Sequence, residues 1–589
     1  MQIRWHQYQT VLMQYLKPQW LRVLVLLVIL LGGTGLQLLN PQLLARFIDT
    51  AIAGGSTTTL LQFGVLFLGI AVAIQLLSIA ESYLAADIGL RATNQLRSHL
   101  AFHCLRLDLS FHYQQPPGVL IERIDGDADR LNDFFARFAT GLVGNSLVLL
   151  GVLVILFRID WRVGFVLTSF TLVAFVVVNA VRDVAVPYLH AERQASAELF
   201  GLIEERLSGM EDVRSCGATD YVMHRFYERS RHLFPRFVRA QTMGATFGVV
   251  SSVVVVCGKA IALGTGIVLF QGGALTIGTV YLLYRYVELL ERPIQQLGRR
   301  VQELQRAGTS ILRIQELLNV RSDIPDRGQI YLPAGALAVC VEQVSFQYLL
   351  TAHSADDTPH FALQDLSFTL APGEVLGLLG RTGSGKTTLT RLLFRLYDST
   401  HGTIYIGDIP LPEIPLSNLR QRVGLVTQEV QLFHASVRDN LTLFSSAIAD
   451  EVILQALEEV GLGSWYQSLP DGLDTRLAPE GSGLSAGQAQ LLAFVRVFLK
   501  NPGLVILDEA SSRLDPATEQ LLEQAMDRLL IGRTAIIIAH RLRTVQRADQ
   551  ILILEQGKPV EYGTRDRLLQ DPGSRFSQLL QMGLETVSA

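Results

Sequence analysis

Apolar residues fill the first half of the chain in long runs, and beyond about residue 320 they give way to short runs alternating with helical patterns. A helix needs about 20 mostly apolar residues to cross the hydrocarbon core of a bilayer. Six stretches meet that length: 20–45, 59–85, 134–157, 163–186, 245–270 and 275–297. The fifth is the clearest, with Val249–Val256 and Ile261–Phe270 interrupted only around Lys259. Short connectors, 46–58, 158–162 and 271–274, follow the first, third and fifth stretches, whereas those after the second and fourth run to dozens of residues. Within the long connectors, 87–110 and 189–240 keep apolar positions at helical spacing, which predicts spanning helices that continue well beyond the membrane. Each is broken once, at His112–Gly118 and near Ser208–Asp220. The breaks predict either short transverse helices or plain turns at the far tip.

Charge sorts the two sides. The long connectors carry Arg91, Arg97, Arg106, Arg123 and Arg130, then eight further arginines from Arg193 to Arg239. Positive residues favour the cytoplasmic side, so these connectors and the N-terminus are expected inside. The first 320 residues hold 28 Lys and Arg against 23 Asp and Glu, and the remainder 22 against 31. A basic membrane half and an acidic soluble half account for that split, and nothing in it calls for a nucleic-acid partner. Only 18% of residues are charged, below the roughly 25% of soluble proteins. Cys104, Cys216, Cys257 and Cys340 are isolated, without the spacing of a zinc or redox pair. The first apolar run begins too late and runs too long for a cleavable signal peptide.

Charges inside spanning stretches are costly, so each is a candidate for function. Lys259 sits near the middle of the fifth stretch; Arg285 and Glu288, three apart in the sixth, can pair on one helical face. Two readings stand open. Arg285–Glu288 is an internal ion pair with Lys259 facing a water-filled cavity, or Lys259 and Arg285 meet an anionic or amphipathic substrate.

After a linker-like stretch at 321–333, strands alternate with helices. The apolar strand Val375–Leu379 is followed by Gly380-Arg381-Thr382-Gly383-Ser384-Gly385-Lys386-Thr387-Thr388 and then an amphipathic helix. This is a complete phosphate-binding loop in its strand–loop–helix setting. Its glycines let backbone N–H groups approach the phosphates, and the helix N-terminus favours negative charge. Lys386 is expected to reach the β- and γ-phosphates of ATP, and Thr387 to offer its hydroxyl to Mg²⁺. A second apolar strand, Leu504–Leu507, ends in Asp508-Glu509. Asp508 is expected to hold Mg²⁺, and Glu509 to orient or deprotonate the attacking water.

Leu484-Ser485-Ala486-Gly487-Gln488 resembles the signature motif of ABC transporters, with Ala where Gly is commoner. The other family marks stand around it in order. Tyr348 resembles the A-loop aromatic that stacks on adenine, and Gln428 the Q-loop glutamine that senses Mg²⁺ and the membrane domain. Ser512-Arg513-Leu514-Asp515 is similar to the D-loop, and His540 to the switch histidine that contacts the γ-phosphate. Glu480 lies one residue closer to the signature than the family's acidic X-loop residue does, leaving Pro479 in the usual place. Residues 349–360 form a longer insertion than is common, read as a surface loop.

The resemblance implies a helical six-span membrane domain (1–320), a linker (321–333) and an α/β P-loop ATPase domain (334–589). In the family, ATP lies between the phosphate loop of one ATPase domain and the signature of another. Ser485, Gly487 and Gln488 would therefore face the ATP of a second half-transporter chain, a homodimer being the simplest arrangement and a heterodimer the other. Spans fused ahead of one ATPase domain resemble the exporter type. A hydrophobic or amphipathic substrate such as a lipid, glycolipid or drug would move across a lipid bilayer, most simply a bacterial inner membrane. The rival reading is an ATP-gated regulatory or channel-like member without net transport.

Overall fold

The computed structural model describes residues 13–348, 361–427, 430–478, 483–508, 515–539 and 545–581, with side chains throughout except at 137–140 and 297–306. The chain divides into two compact units: Met1–Leu105 with Pro117–Val320, and Arg106–Pro116 with Arg321–Ala589.

The first unit is helical. Its long elements are α1 (Trp20–Ile52), α2 (Thr57–Arg106), α4 (the run Pro117–Ile159), α5 (Trp161–Ser208), α7 (Thr219–Gln271) and α8 (Ile277–Asn319); the short helices α3 (Leu109–Gln114) and α6 (Met210–Ser215) fall at the two breaks. Five of these helices, α1, α2, α4, α5 and α7, are long and apolar enough to cross a membrane, among the described residues. The stretch 275–297 lies at the start of α8, where Arg285, Glu288, Glu291 and Arg292 dilute the apolar character that the other five keep. On α2 the stripe Leu61, Val65, Leu68, Val72, Leu76, Ile79 is exposed. At that spacing it covers one helical face, which lipid tails can solvate at no cost to the fold.

The core of this unit is built by α4, α5, α7 and α8, with Val152, Leu156, Val163, Leu167, Ala262, Leu283 and Tyr286 all withdrawn from the surface. Polar ties fix α1 against α8. Asp49 accepts from the Thr276 hydroxyl (2.7 Å) and the Gly278 N–H (2.7 Å), closing the exposed donors at the α8 N-terminus. The Tyr286 hydroxyl donates to the Leu38 carbonyl at 3.0 Å and accepts from Gln42 at 2.9 Å. Such interhelical bonds contribute roughly 0.6 kcal/mol each in a membrane.

Within α4, wide π-helical turns at Glu122–Gly126 and Phe138–Gly144 flank the segment that carries Asp127. The Asp127 carboxylate is fully buried; its Oδ1 accepts from Ser310 (2.8 Å), Arg130 (2.9 Å) and Arg313. Three donors from two elements thus converge on one oxygen. Asp127→Ala leaves Ser310 and both guanidinium groups without it, and because Arg313 keeps partial access to water the expected cost is about 2–3 kcal/mol. Thermal unfolding in detergent should register that as a drop in Tm, and an unchanged Tm would mean the cluster contributes nothing.

The second unit carries two sheets. A four-stranded antiparallel sheet has the order β2-β1-β4-β5, from β1 (Val339–Phe346), β2 (Leu363–Leu370), β4 (His401–Ile406) and β5 (Ile409–Pro410). A six-stranded sheet has the order β10-β9-β3-β8-β7-β6, from β3 (Val375–Leu379), β6 (Val423–Val426), β7 (Leu504–Asp508), β8 (Thr534–Ile538), β9 (Gln550–Glu555) and β10 (Lys558–Thr564). Strands β9, β3, β8, β7 and β6 run parallel. β3 and β8 are buried along their whole length, as strands covered on both faces must be.

Residues 321–333 are held rather than loose. Asp323 N–H donates to Asp108, Leu416 N–H to Asp326, and Gln329 and Ile330 N–H to the Glu413 carbonyl. Arg395 and Arg422 capture the Pro325 and Pro333 carbonyls. Side chains and backbone groups elsewhere in the second unit thus pair with a stretch that sequence composition reads as a linker.

Candidate nucleotide site and membrane cavity

Register brings the ends of four strands to one edge. Leu378 pairs with Ile538, Asp508 with Ile538, and Leu507 with Val426, so the carboxyl ends of β3, β8, β7 and β6 lie level. Loops beyond the carboxyl ends of parallel strands are where α/β folds place ligands. Gly380 follows β3 directly, and Asp508 closes β7. Gln428, Glu509, Ser512, Arg513, Leu514 and His540, which follow β6, β7 and β8 in sequence, lie outside the described residues, as do Pro479, Glu480 and 349–360.

The loop 380–388 is tightly turned and closely packed. Gly380 has φ 150° and Gly385 φ 104°, and a Cβ at either would collide with backbone: the Leu554 carbonyl at Gly380, the Ala362 carbonyl at Gly385. Gly385 caps helix α9 (Lys386–Leu393), whose first turn opens on the loop. Lys386 is buried, and its ammonium donates to the Gly380 carbonyl (2.6 Å) and the Arg381 carbonyl (3.0 Å). Burial pushes the Lys386 ammonium below the ordinary lysine value, and the negative charge of Asp508 partly restores it. Among the described residues, the buried Ser384 hydroxyl has no hydrogen-bond partner and the Lys386 ammonium bonds only to those two carbonyls. A buried orphan hydroxyl beside a lysine bonded only to backbone is the donor arrangement that a polyphosphate completes. Arg381, Thr382, Gly383 and Thr387 are exposed on the same loop, Thr387 in the first turn of α9 and Asp508 at the neighbouring strand end. A hydroxyl and a carboxylate at these places are hard oxygen donors of the kind Mg²⁺ takes.

Tyr348 stands beside α9. Its hydroxyl lies 3.1 Å from the Thr388 hydroxyl, and its ring meets Phe346 and Tyr397 edge-on at 4.8 and 5.3 Å. The signature segment opens helix α10 (Ala486–Lys500). Ser485 accepts from the Gln488 N–H (3.1 Å) while Gln488 accepts from the Ser485 N–H (3.0 Å). This reciprocal cap leaves an exposed helix N-terminus ready for an anion. Gly487 is buried. Asp515 caps helix α11 (Pro516–Leu530) by accepting from the Thr518 N–H at 3.0 Å, and the Thr518 hydroxyl first, then that N–H, hold its carboxyl below the usual range.

A separate cavity of about 890 Å³ lies among α1, α2, α4 and α8 of the helical unit. Arg285 lines it, paired with Glu288 on the same helix. Lys259 is not among the lining residues; its ammonium sits 4.9 Å from the centre of the Tyr284 ring. Glu81 does line the cavity, with Gln37, Gln75 and Arg292. The sequence reading passed over Glu81, although a lone carboxylate within 59–85 is the same kind of signal as Lys259.

Comparisons with known proteins agree with this layout. Residues 23–292 match the ABC transporter transmembrane region, and residues 363–512 match the ABC transporter ATPase family. A putative multidrug export ATP-binding/permease protein of Bacillus subtilis is 30% identical over 584 residues, covering 96% of this chain and 98% of that protein. An ATP-dependent lipid A-core flippase of Syntrophus aciditrophicus is 30% identical, covering 84% and 81%. The fold is shared with a bacterial Atm1-family ABC exporter solved with ATP bound, at a TM-score of 0.78, 24% identity and coverage of 95% and 98%. A transmembrane region fused ahead of an ATPase domain, matched along nearly its whole length by such relatives, makes this chain an integral membrane protein of the ABC transporter family, with an ATPase that drives transport.

Proposed function

We propose that the chain is one half of a dimeric exporter or flippase that moves a hydrophobic or amphipathic substrate across a bacterial inner membrane by alternating access. The observation that carries this reading is the phosphate loop, with Lys386 buried and Ser384 orphaned, on a chain that also holds a polar cavity among apolar helices. In it, α8 is the sixth spanning helix, Arg285 and Glu288 supplying the polar wall that an amphiphile's headgroup needs. The bound Mg²⁺ would neutralise charge on the β- and γ-phosphates, with Thr387, Asp508 and Gln428 as the residues that hold it. Lys386 and the loop N–H groups orient the triphosphate, Tyr348 stacks on the base, Glu509 takes a proton from water, and His540 steadies the γ-phosphate. Ser485, Gly487 and Gln488 present their helix N-terminus to the ATP of a second identical chain, and Asp515 stands beside that interface.

ATP favours the closed ATPase pair and substrate the open one, so each shifts the equilibrium by its preference between the two states. The test is reconstitution of the purified chain in sealed vesicles with fluorescent lipids and amphiphilic drugs. ATP-dependent movement of at least one class is expected, with substrate stimulating hydrolysis. Neutralising Arg285 and Glu288 together should raise the KM for that substrate severalfold while leaving the KM for ATP unchanged. Steady hydrolysis without net movement of any candidate would favour a gating role instead.

A further inference from the structure

The segment Arg106–Pro116, which links α2 to α4 in sequence, packs as part of the ATPase unit. Its helix α3 is capped by Asp108, which accepts from Phe111 N–H (3.1 Å) and the Ser110 hydroxyl (2.6 Å). The other Asp108 oxygen accepts from Asp323 N–H at 2.7 Å. Tyr113, near the end of α3, is thereby carried on an anchored turn.

Arg391 lies on α9, five residues after Lys386. One arm of its guanidinium donates to the Tyr113 hydroxyl at 2.9 Å, and the other donates to the Tyr348 hydroxyl at 3.1 Å. The guanidinium carbon is also 5.2 Å from the centre of the Tyr113 ring. Tyr348 in turn touches Thr388, within the phosphate loop's own helix. A planar fork can serve two hydroxyls at once in a fixed geometry, which the single ammonium of a lysine does poorly.

We infer that Arg391 is a positioning residue that links the cytoplasmic segment around Tyr113 to the angle of the Tyr348 ring, and so couples the docking of that segment to nucleobase affinity. The inference rests on Tyr348 being the adenine platform. Withdrawal of Tyr113 leaves one arm of the fork without its partner and frees the guanidinium to turn. Tyr348 then loses its charged donor and keeps only its contacts with Phe346, Tyr397 and the Thr388 hydroxyl. The linkage is reciprocal: a base stacked on Tyr348 favours the docked segment as much as docking favours the base.

The experiment uses the full-length chain and compares ATP with inorganic tripolyphosphate, which has no base to stack. Arg391→Met and Tyr113→Phe are each expected to raise the KM for ATP about three- to tenfold with little change in kcat. Inhibition by tripolyphosphate should stay as it was, and Arg391→Lys should resemble Arg391→Met. The double variant should be no weaker than Arg391→Met alone, since both changes break one path. Effects that multiply in the double variant, or a parallel loss of tripolyphosphate affinity, would overturn the linkage. Tyr348→Ala separates the two levels of the argument. If it weakens ATP binding while Arg391→Met does not, the platform stands and the linkage fails; if it leaves the KM for ATP unchanged, both fail.

Discussion

Lys386→Met is expected to lower ATP turnover about a thousandfold and to weaken ATP binding, with the fold retained. Removing one preorganised donor from a site of developing charge typically costs 10²–10³ in rate. Here the lost group is a buried cation aimed at the phosphates, so the upper end applies. The protein should still fold, because Met fills the same buried volume and only the Gly380 and Arg381 carbonyls lose a donor, at about 1 kcal/mol each. A Tm within a few degrees of the parent, together with absent hydrolysis, is the diagnostic pair. Because burial holds the Lys386 ammonium below the ordinary lysine value, the parent should lose its charge, and with it ATP affinity, at a lower alkaline pH than an ordinary lysine would. Lys386→Met should lack that alkaline limb. Turnover surviving in Lys386→Met would remove Lys386 from the phosphate site.

Glu509→Gln is expected to lose hydrolysis as well, about 10²–10⁴-fold, but with ATP bound tightly and two chains held together around the nucleotide. Loss of a general base accounts for that range, while the amide keeps the size and most of the hydrogen bonding of the acid. Size-exclusion with light scattering should show an ATP-dependent closed dimer in this variant and two nucleotides per pair. A monomer that retains ATP would refute the shared site, and retained hydrolysis would remove Glu509 as the base.

Much of this architecture was legible in the residue order, for physical reasons that differ between the halves. Spanning helices announce themselves because bilayer thickness sets their length, so the breaks at His112–Gly118 and Ser208–Asp220 fell where α3 and α6 stand. The glycine-rich turn after β3 is legible because Gly380 and Gly385 occupy backbone conformations and close approaches that side chains forbid. That the linker stretch 321–333 is hydrogen-bonded is not legible in the sequence, since its bonds come from Asp108, Arg395, Glu413 and Arg422, all remote in the chain. Lys259 and Arg285 looked equivalent as charges in apolar runs. Only three-dimensional packing separates them, one beside Tyr284 and the other in the cavity wall, and only packing brings Glu81 to that same wall. Arg391 carried no signal, because a single arginine on an amphipathic helix has no spacing that marks its partners.

The membership of Arg106–Pro116 in the ATPase unit also bears on how the protein is made. Tyr113 and its partner Arg391 are 278 residues apart in the chain. At a synthesis rate of about 5–20 residues per second, the tyrosine leaves the ribosome roughly 15–60 s before the arginine exists. During that interval α3 and its anchor Asp108 have none of their ATPase-side contacts, while the helices on either side are already entering the bilayer. The Tyr113–Arg391 contact therefore closes only after most of the chain has been made. It joins a turn synthesised early to a helix synthesised late, so it cannot contribute while the first membrane helices are being made.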